Sequence, residues 1–317
     1  MPVKVLHLSD TTISGAPFRI HSLFKNNRAL GYVSRHIVWH PTTGFRVFPT
    51  DMVGSEMEEK DLKFWLDWAD IIHYHNRYAR QEIFQKLGTP PPDKPSVIQM
   101  HSPRHEDENF EAEAASGVPL AVVAQYHPRE WPEASFLVPN VVDIEEIRPH
   151  KRPPLRRVPV VSYAPSNHNG KGWNDKGYAF TAPILKKMQL RGLIKYAPVI
   201  KRPYELMMQL KSGADIGIDE VATGSYHLSS LEYMALGVPC ICRLDEKTQE
   251  VVRNLTGCDW LPWVDANEHS LERILRDIIQ KQQWPGLGAR SRRWMEQYWS
   301  PEVLLNHYIE MYEEIRK

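Results

Sequence analysis

The chain has little of several features that would place it in a familiar class. It has only three cysteines in 317 residues, Cys240, Cys242 and Cys258, which is too few for a disulfide framework and fits a reducing compartment. Its 39 basic and 39 acidic residues cancel, which argues against a globally basic nucleic-acid binder. No run approaches the ~20 apolar residues of a membrane span. We therefore expect no integral membrane segment and a cytoplasmic protein.

Two motifs are also missing. The first apolar run, residues 3–8, indicates a strand and not a signal peptide, and no G-x-G-x-x-G pattern follows it, which argues against a nicotinamide oxidoreductase. The histidines His73, His75 and His101 have no acidic partner at a metal-ligand spacing. The sequence therefore predicts no metal site.

Apolar runs typical of strands alternate with segments of helical spacing along the whole chain. The predicted strands are residues 3–8, 34–39, 70–75, 96–100, 120–124, 135–138, 160–163, 215–218 and 239–242. The predicted helices include residues 18–30, 58–68 and 301–317. This pattern predicts an α/β protein with parallel sheets covered on both faces. A stretch rich in proline and arginine, residues 148–159, is predicted to link two halves, each long enough for its own core.

The most informative segment is residues 224–239, with the sequence GSYHLSSLEYMALGVP. A glycine and small hydroxyl residues lead into a short predicted helix that carries one acid, Glu232, and ends at Gly237. We expect free backbone N–H groups in the loop, a helix start beside them, and a carboxylate about one turn into the helix. Such an arrangement suits a phosphate held close to a sugar hydroxyl.

Two glycine-containing segments add to this pattern. Residues 170–177, GKGWNDKG, place Lys171 and Lys176 five positions apart. Residues 14–17, SGAP, follow the first predicted strand, and Gly15 allows the backbone to approach a ligand closely.

These segments occur in an order that resembles the retaining glycosyltransferases of family four, which have the GT-B fold. The matching motifs are SGAP at 14–17, DIIHYH at 70–75, a strand-end histidine at His101, VPNVVD at 138–143, and the helix bearing Glu232. The resemblance implies two Rossmann-like domains whose parallel sheets face each other across a cleft. Residues 1–150 would form the acceptor domain, residues 151–300 the nucleotide-sugar domain, and residues 301–317 a helix that packs back on the first domain.

The resemblance also implies roles for single residues. Lys171 and Lys176 would grip the donor diphosphate, and His101 would contact the transferred sugar. These three form the expected catalytic group. The residues expected to bind the nucleotide sugar are Ser14, Gly15, Glu220, Ser225, Tyr226, His227, Leu228, Ser229 and Glu232, the last through the ribose hydroxyls. His73 is expected to be structural and His75 to lie on the acceptor side.

The chain departs from the family pattern in the turn at 138–143, where a valine replaces the usual glycine, and more consequentially at Gly224. The first glutamate of the family motif falls at Gly224. Asp219 or Glu220 would then supply a carboxylate, or Ser225 or His227 neutral hydrogen bonds, unless the site has lost activity.

The predicted function is retaining transfer of a hexose-type sugar from a nucleoside-diphosphate donor, with a UDP-sugar favoured, to a hydroxyl acceptor. No metal and no cofactor beyond the donor are expected. The acceptor is left open among a glycan, a lipid-linked glycan, a small molecule and a modified nucleic-acid base. The alternatives are a nucleotide-sugar epimerase of the same fold and a non-catalytic nucleotide-sugar or glycan-binding protein, of which Gly224 favours the second.

Overall fold

The computed structural model describes residues 1–11, 15–27, 31–41, 48–76, 86–88, 93–107, 110–149, 158–165 and 176–317. The chain forms two compact units. The first comprises Met1–Val141 together with Pro301–Lys317, and the second comprises Val142–Ser300. In the described residues, none of the helices has both the length and the hydropathy needed to cross a membrane.

The first unit is built on a seven-stranded parallel sheet. Its strands are β1 Val3–Ser9, β2 Tyr32–Val38, β3 Met52–Val53, β4 Ile71–His75, β5 Ser96–Met100, β6 Leu120–Val123 and β7 Phe136–Val138. Their order is β3-β2-β1-β4-β5-β6-β7, with parallel pairing throughout. The winding direction reverses at β1, so β1 and β4 flank a switch point, where ligands bind in sheets of this kind.

The two faces of this sheet differ in chemistry. The helices that cover it include α1 Ala16–Asn26, α2 Glu59–Trp68 and α3 Phe110–Ala114. One face carries an apolar core in which Leu6, Ile72 and Ile98 pack with Leu62 and Leu66 of α2. On the other face, register places one histidine on each of three adjacent strands; these are His36, His7 and His73.

The second unit repeats the architecture with fewer strands. Its strands are β8 Val160–Tyr163, β9 Lys195–Pro198, β10 Ile216–Ile218 and β11 Cys240–Ile241, in the order β11-β10-β8-β9. Its helices include α4 Tyr178–Leu190, α5 Tyr204–Ser212, α6 Leu228–Ala235, α7 Glu246–Thr256, α8 Leu271–Gln280 and α9 Trp284–Tyr298. Here the winding reverses at β8, so β8 and β10 flank the switch point of this sheet.

The last helix, α10 Pro301–Glu314, belongs to the first unit. The hydroxyl of Tyr312 lies 2.7 Å from Nδ1 of His73, and the hydroxyl of Tyr308 donates to the carbonyl of Pro139 at 2.9 Å. The sequence predicts this helix, but not the two polar contacts that hold it against β4 and the segment after β7.

The first unit ends at Val141, before the predicted boundary at 150. The reason lies in Arg292 of α9, whose guanidinium donates to the carbonyls of Ile144 and Ile147 at 3.1 and 2.9 Å. These bonds hold the segment after Val141 on the second unit. The rest of the predicted linker, residues 150–157, lies outside the described residues.

Candidate functional site

The candidate site of the second unit lies at the carboxyl ends of β8 and β10. Lys176 stands after β8, with only Gly177 between it and α4, while Asp219 directly follows β10. Residues 219–227 then lead into α6. Because the two strands flank the switch point, the loops that leave them diverge and open a ligand position between them.

Lys176 is a buried cation with a fixed partner. Its Nζ donates to Oδ1 of Asp219 at 2.7 Å, and the two side chains are 3% and 0% exposed. The backbone of Lys176 is left-handed (φ 55°), and its carbonyl accepts a hydrogen bond from the hydroxyl of Tyr163 at 3.0 Å. Lys176 is therefore a preorganised charge and not an ordinary surface lysine.

Asp219 connects this cation to the start of α6. Its second oxygen, Oδ2, accepts from the backbone N–H of His227 at 2.6 Å, and Nδ1 of His227 lies 3.7 Å from it. Burial by itself raises the pKa of Asp219, but Lys176 and His227 together outweigh burial and hold that pKa well below its ordinary value. Asp219 is thus a carboxylate that fixes both Lys176 and the first residue before the helix.

Glu220 has a different role from the expected one. Its Oε2 accepts from the N–H groups of Ala222 and Thr223 at 3.1 and 2.6 Å, and its Oε1 from those of Gly224 and Ser225 at 3.1 and 3.3 Å. The side chain is fully buried, and burial raises its pKa. The prediction of free N–H groups in this loop is therefore wrong for residues 222–225, and Glu220 orders the loop instead of facing a sugar.

Gly224 has no room for the glutamate of the family motif. Its φ is +80°, and a Cβ atom would stand 2.8 Å from Oδ2 of Asp245. Its carbonyl accepts from the N–H of Asp245 and from Oγ1 of Thr248, both at 2.9 Å. The departure from the family pattern is thus built into the backbone, because only glycine fits this conformation without strain.

Unsatisfied polar groups remain at the start of α6. The hydroxyls of Ser225 and Ser229 are buried and have no hydrogen-bond partner among the described residues. The N–H groups of Leu228 and Ser229 stand in the first turn of the helix, where no intrahelical acceptor exists. Tyr226, by contrast, is a core side chain whose ring centroid lies 5.0 Å from that of Trp263.

Glu232 forms a second buried ion pair. Its Oε2 accepts from Nζ of Lys211 in α5, with side chains 3% and 1% exposed, and Lys211 also lies 5.0 Å over the ring of Tyr233. Burial lowers the pKa of Lys211, which Glu232 partly opposes. Glu232 is therefore not an exposed helical acid. Lys211 could not be singled out from the sequence, because a lysine in the last turn of a helix is an ordinary feature.

Of the predicted site residues Ser14, Gly15 and Lys171, the structure describes only Gly15. Ser14 lies outside the described residues, as does Lys171. Gly15 precedes α1 with φ +80°, and a Cβ atom there would stand 2.5 Å from Cε1 of Phe48. The glycine is thus required by its neighbour in the fold as well as by its backbone conformation.

His101 stands at the carboxyl end of β5 and is fixed at two points. Its Nε2 lies 2.9 Å from Nδ1 of His75, and its backbone N–H donates to Oδ1 of Asn76 at 2.5 Å. His75, which was expected on the acceptor side, shares a face of β4 with His73, because residues two apart on a strand point the same way, and both are fully buried. Both ring nitrogens of His75 contact other histidines, so neither is left to meet an acceptor.

His7, His73 and His75 lie close enough to one another to hold a metal ion. One ring nitrogen each of His7, His73 and His75 lie within 4.8 Å of one another. Both ring nitrogens of His75, however, already contact His7 and His101, at 3.0 and 2.9 Å. An ion would have to displace one of these hydrogen bonds, so the absence of a metal stays a prediction.

The chain matches no protein-family model and no curated protein sequence. Solved structures do match it over nearly its whole length. An alpha-glucosyltransferase in complex with UDP-glucose and DNA containing an abasic site is 12% identical, with a TM-score of 0.67 over 98% of this chain and 99% of that one. HepE from Anabaena, in complex with UDP and glucose, is 13% identical, with a TM-score of 0.65 over 98% and 100%.

A third solved structure, of an O-GlcNAc transferase from Thermobaculum terrenum, is 13% identical, with a TM-score of 0.55 over 99% of this chain and 68% of that one. What the chain shares with all three is the fold. The prediction of a GT-B α/β architecture with two Rossmann-like units is therefore confirmed.

Proposed function

We propose that the protein is a retaining glycosyltransferase that moves a sugar from a nucleoside diphosphate, with UDP favoured, to a hydroxyl acceptor without a metal ion. The observation that carries the proposal is the buried Lys176–Asp219 pair beside the start of α6, at the switch point of the second sheet. The similar structures support the donor class, since two of them hold UDP or UDP-glucose.

The chemistry requires positive charge where the donor breaks. The acceptor oxygen bonds to the anomeric carbon as the bond from that carbon to the diphosphate oxygen breaks, and the electron pair leaves with the diphosphate. The acceptor proton passes to the same oxygen, on the same face of the sugar. Lys176 and the first-turn N–H groups of α6 stabilise the departing charge, and a single preorganised donor of this kind is worth ~3 kcal/mol. Lys171 is proposed as the second cation.

His101 of the first unit and Glu232 of the second unit each have a proposed role. His101 contacts the transferred sugar, while Ser225, Ser229 and the N–H of Leu228 are proposed to meet the phosphates. Glu232 is proposed to accept from the ribose hydroxyls through a carboxylate that Lys211 holds in place.

The ribose contact has its own measurement. UDP is expected to bind about 10-fold more tightly than 2′-deoxy-UDP to the wild type, since one hydrogen bond to a charged group is worth ~1.5 kcal/mol or more. In Glu232→Gln this preference should shrink. Equal affinities in the wild type would remove Glu232 from the ribose site.

The acceptor is proposed to be a hydroxyl group of a modified nucleic-acid base or of a sugar. One similar alpha-glucosyltransferase was solved with DNA containing a hydroxymethyluracil (HMU) base, and HepE was solved with glucose. Duplex DNA with a hydroxymethyl pyrimidine and a glucose-terminated oligosaccharide are therefore the first two acceptors to test.

A second candidate function is a non-catalytic nucleotide-sugar or glycan-binding protein. Gly224 favours it, because the missing acid normally touches the donor sugar and the loop has no room for it. An epimerase of the same fold is less favoured, since such enzymes use additional acids around the sugar. A cytoplasmic location remains part of the proposal, supported by three free, buried thiols.

The deciding experiment incubates the protein with radiolabelled UDP-glucose, UDP-N-acetylglucosamine, GDP-mannose and ADP-glucose, with and without the two acceptors. Transfer, or slow release of free sugar, is expected for a UDP-sugar and should vanish in Lys176→Ala. Epimerised donor would indicate the epimerase. Tight binding of UDP without turnover of any donor would indicate the binding protein.

A further inference from the structure

A file of three imidazole rings runs through the first unit to the carboxyl end of its sheet. Nδ1 of His7 on β1 lies 3.0 Å from Nε2 of His75 on β4, and Nδ1 of His75 lies 2.9 Å from Nε2 of His101. The rings of His7 and His75 are stacked, as are those of His75 and His101, with centroids 5.3 and 5.1 Å apart. The file begins in the buried layer and ends at a partly exposed residue.

Each nitrogen–nitrogen contact needs one proton, so the tautomers of the three rings are linked. All three rings are neutral, because burial lowers the pKa of His7, His75 and His101 well below the ordinary value. A neutral imidazole carries one N–H and one lone pair. Whichever nitrogen of His7 holds its proton therefore decides the direction of both hydrogen bonds.

The far end of the file sets that direction. Nε2 of His7 is buried and has no hydrogen-bond partner among the described residues. A proton there would leave a buried N–H orphaned, which folded proteins avoid more strictly than an idle acceptor. The proton of His7 therefore sits on Nδ1 and is donated to Nε2 of His75. His75 in turn carries its proton on Nδ1 and donates it to Nε2 of His101.

The neighbouring polar groups do not oppose this direction. His73 stacks on His75, with ring centroids 4.3 Å apart, but its Nδ1 faces the hydroxyl of Tyr312. His36 is paired with the hydroxyl of Ser9, and His21 with the hydroxyl of Ser34 and the carboxylate of Asp51. Each of these rings has its own partner outside the file.

We infer that His7 and His75 are positioning residues that hold His101 as the neutral Nδ1–H tautomer, so that its role toward a substrate is that of a hydrogen-bond donor through Nδ1 and not that of a general base. Nε2 of His101 is occupied by the proton of His75, and Nδ1 already carries a proton. The ring therefore has no free lone pair with which to accept a proton. The substrate contact rests on the function proposed above, whereas the tautomer does not.

The tautomers are measurable without any substrate. In protein labelled with ¹⁵N-histidine, long-range ¹H–¹⁵N correlation spectra distinguish Nδ1–H from Nε2–H rings, and single substitutions assign the signals. His7, His75 and His101 are expected to be Nδ1–H at pH 7. An Nε2–H signal for His101 would overturn the inference. So would a stoichiometric transition metal in the purified protein, because it would displace a hydrogen bond of the file.

The link to His7 is tested with a matched pair of buried variants. His7→Phe removes the donor to His75, so the signal of His101 should become a mixture of tautomers, and turnover of UDP-glucose should fall about 10-fold. His36→Phe removes a histidine of the same layer outside the file and should leave the signal of His101 unchanged. An unchanged signal in His7→Phe, or equal effects of the two substitutions, would contradict the positioning role.

The role of His101 as a hydrogen-bond donor is tested by comparing a substitution that keeps an N–H group at the position of Nδ1 with one that removes it. The amide nitrogen of asparagine can take the place of Nδ1–H, so His101→Asn should keep UDP-glucose turnover within about 10-fold of the wild type. His101→Leu should lose far more, and equal loss in both would overturn the donor role. If the wild type turns over no donor and does not bind UDP, the proposed function and the substrate contact both fail. The NMR spectra still decide the tautomer.

Discussion

The two units bury polar groups in opposite ways. On one face of its sheet the first unit buries the imidazoles of His7, His36, His73 and His75, and burial lowers the pKa of each, so these four rings are neutral. The centre of the second unit holds two full ion pairs, Lys176–Asp219 and Lys211–Glu232, with every side chain at most 3% exposed.

The difference has a physical meaning. A neutral imidazole is tolerated in the interior when its hydrogen bonds are met, whereas a buried charge needs a partner of the opposite sign. An ion pair is seldom the most stable filling for a core, so two of them buried in one unit indicate a use for charge. The buried polar groups of the first unit thus orient hydrogen bonds, and those of the second unit include the cation that is proposed to meet a phosphate.

Breaking the ion pair of Lys176 should have the largest effect. Lys176→Met leaves Asp219 buried and unpaired, and removing one partner of such a pair costs ~3–5 kcal/mol of the free energy of unfolding. The double variant Lys176→Met/Asp219→Asn keeps an acceptor for the N–H of His227 and should recover much of that stability while turnover stays absent. Urea unfolding and UDP-glucose turnover measure the two quantities. Wild-type turnover in Lys176→Met would contradict the catalytic role.

Acid should weaken the first unit before the second. Burial lowers the pKa of His36 and His73 to about 3, against ~6.5 in an unfolded chain. The unfolded state therefore binds more protons between these values, and stability falls as pH falls from ~6.5 toward ~3. At pH 5 each such histidine removes about 2 kcal/mol.

Asp219 should lose its stabilising contribution in the same direction, as pH falls, but only at much lower pH. Its pKa lies well below the ordinary value, so the Lys176 pair persists until far lower pH. Amide hydrogen exchange, corrected for the intrinsic rate and followed strand by strand, separates the units, and His36→Phe should flatten the acid slope of the first. A simultaneous loss of protection in both units from pH 6 downward would show that the contrast does not govern acid stability.

The smallest expected effect concerns the loop glycines. Gly15 and Gly224 both have φ +80°, and a Cβ atom would meet Phe48 in the first unit and Asp245 in the second. Gly15→Ala and Gly224→Ala should each lower the free energy of unfolding by ~1–3 kcal/mol. Gly257→Ala is the control: its φ is +65° with open space around it, so only the backbone cost of ~1 kcal/mol is expected. Equal losses at all three sites would mean that the close contacts contribute nothing.

Much of the fold could be predicted from local patterns. The strands at 96–100 and 160–163 have the predicted bounds, because each is a short apolar run between loop residues. The helix predicted to reach residue 30 instead ends at Asn26, because the backbone leaves the helical region at Asn27. The loop N–H groups around Gly224 were predicted to be free, since nothing in the sequence shows that Glu220 folds back on them.

Other errors had a similar origin. No role could be predicted for His7 from the sequence, because nothing near a single histidine in an apolar strand indicates which residue it contacts. Its partner is His75, which lies 68 positions away and meets it only when β1 pairs with β4. Lys211 was missed for the same reason, as its partner Glu232 is on a different helix.

The sequence by itself determined the alternation of strands and helices, the apolar faces, and the turn residues, because these depend on neighbours a few positions apart along the chain. Only the tertiary structure decided which ammonium group pairs with which carboxylate, which glycine has no space for a Cβ atom, and which imidazole donates a hydrogen bond to the next. Those choices depend on atoms that strand pairing brings together from distant parts of the chain. Buried polar groups must find such partners, because water is not there to replace them.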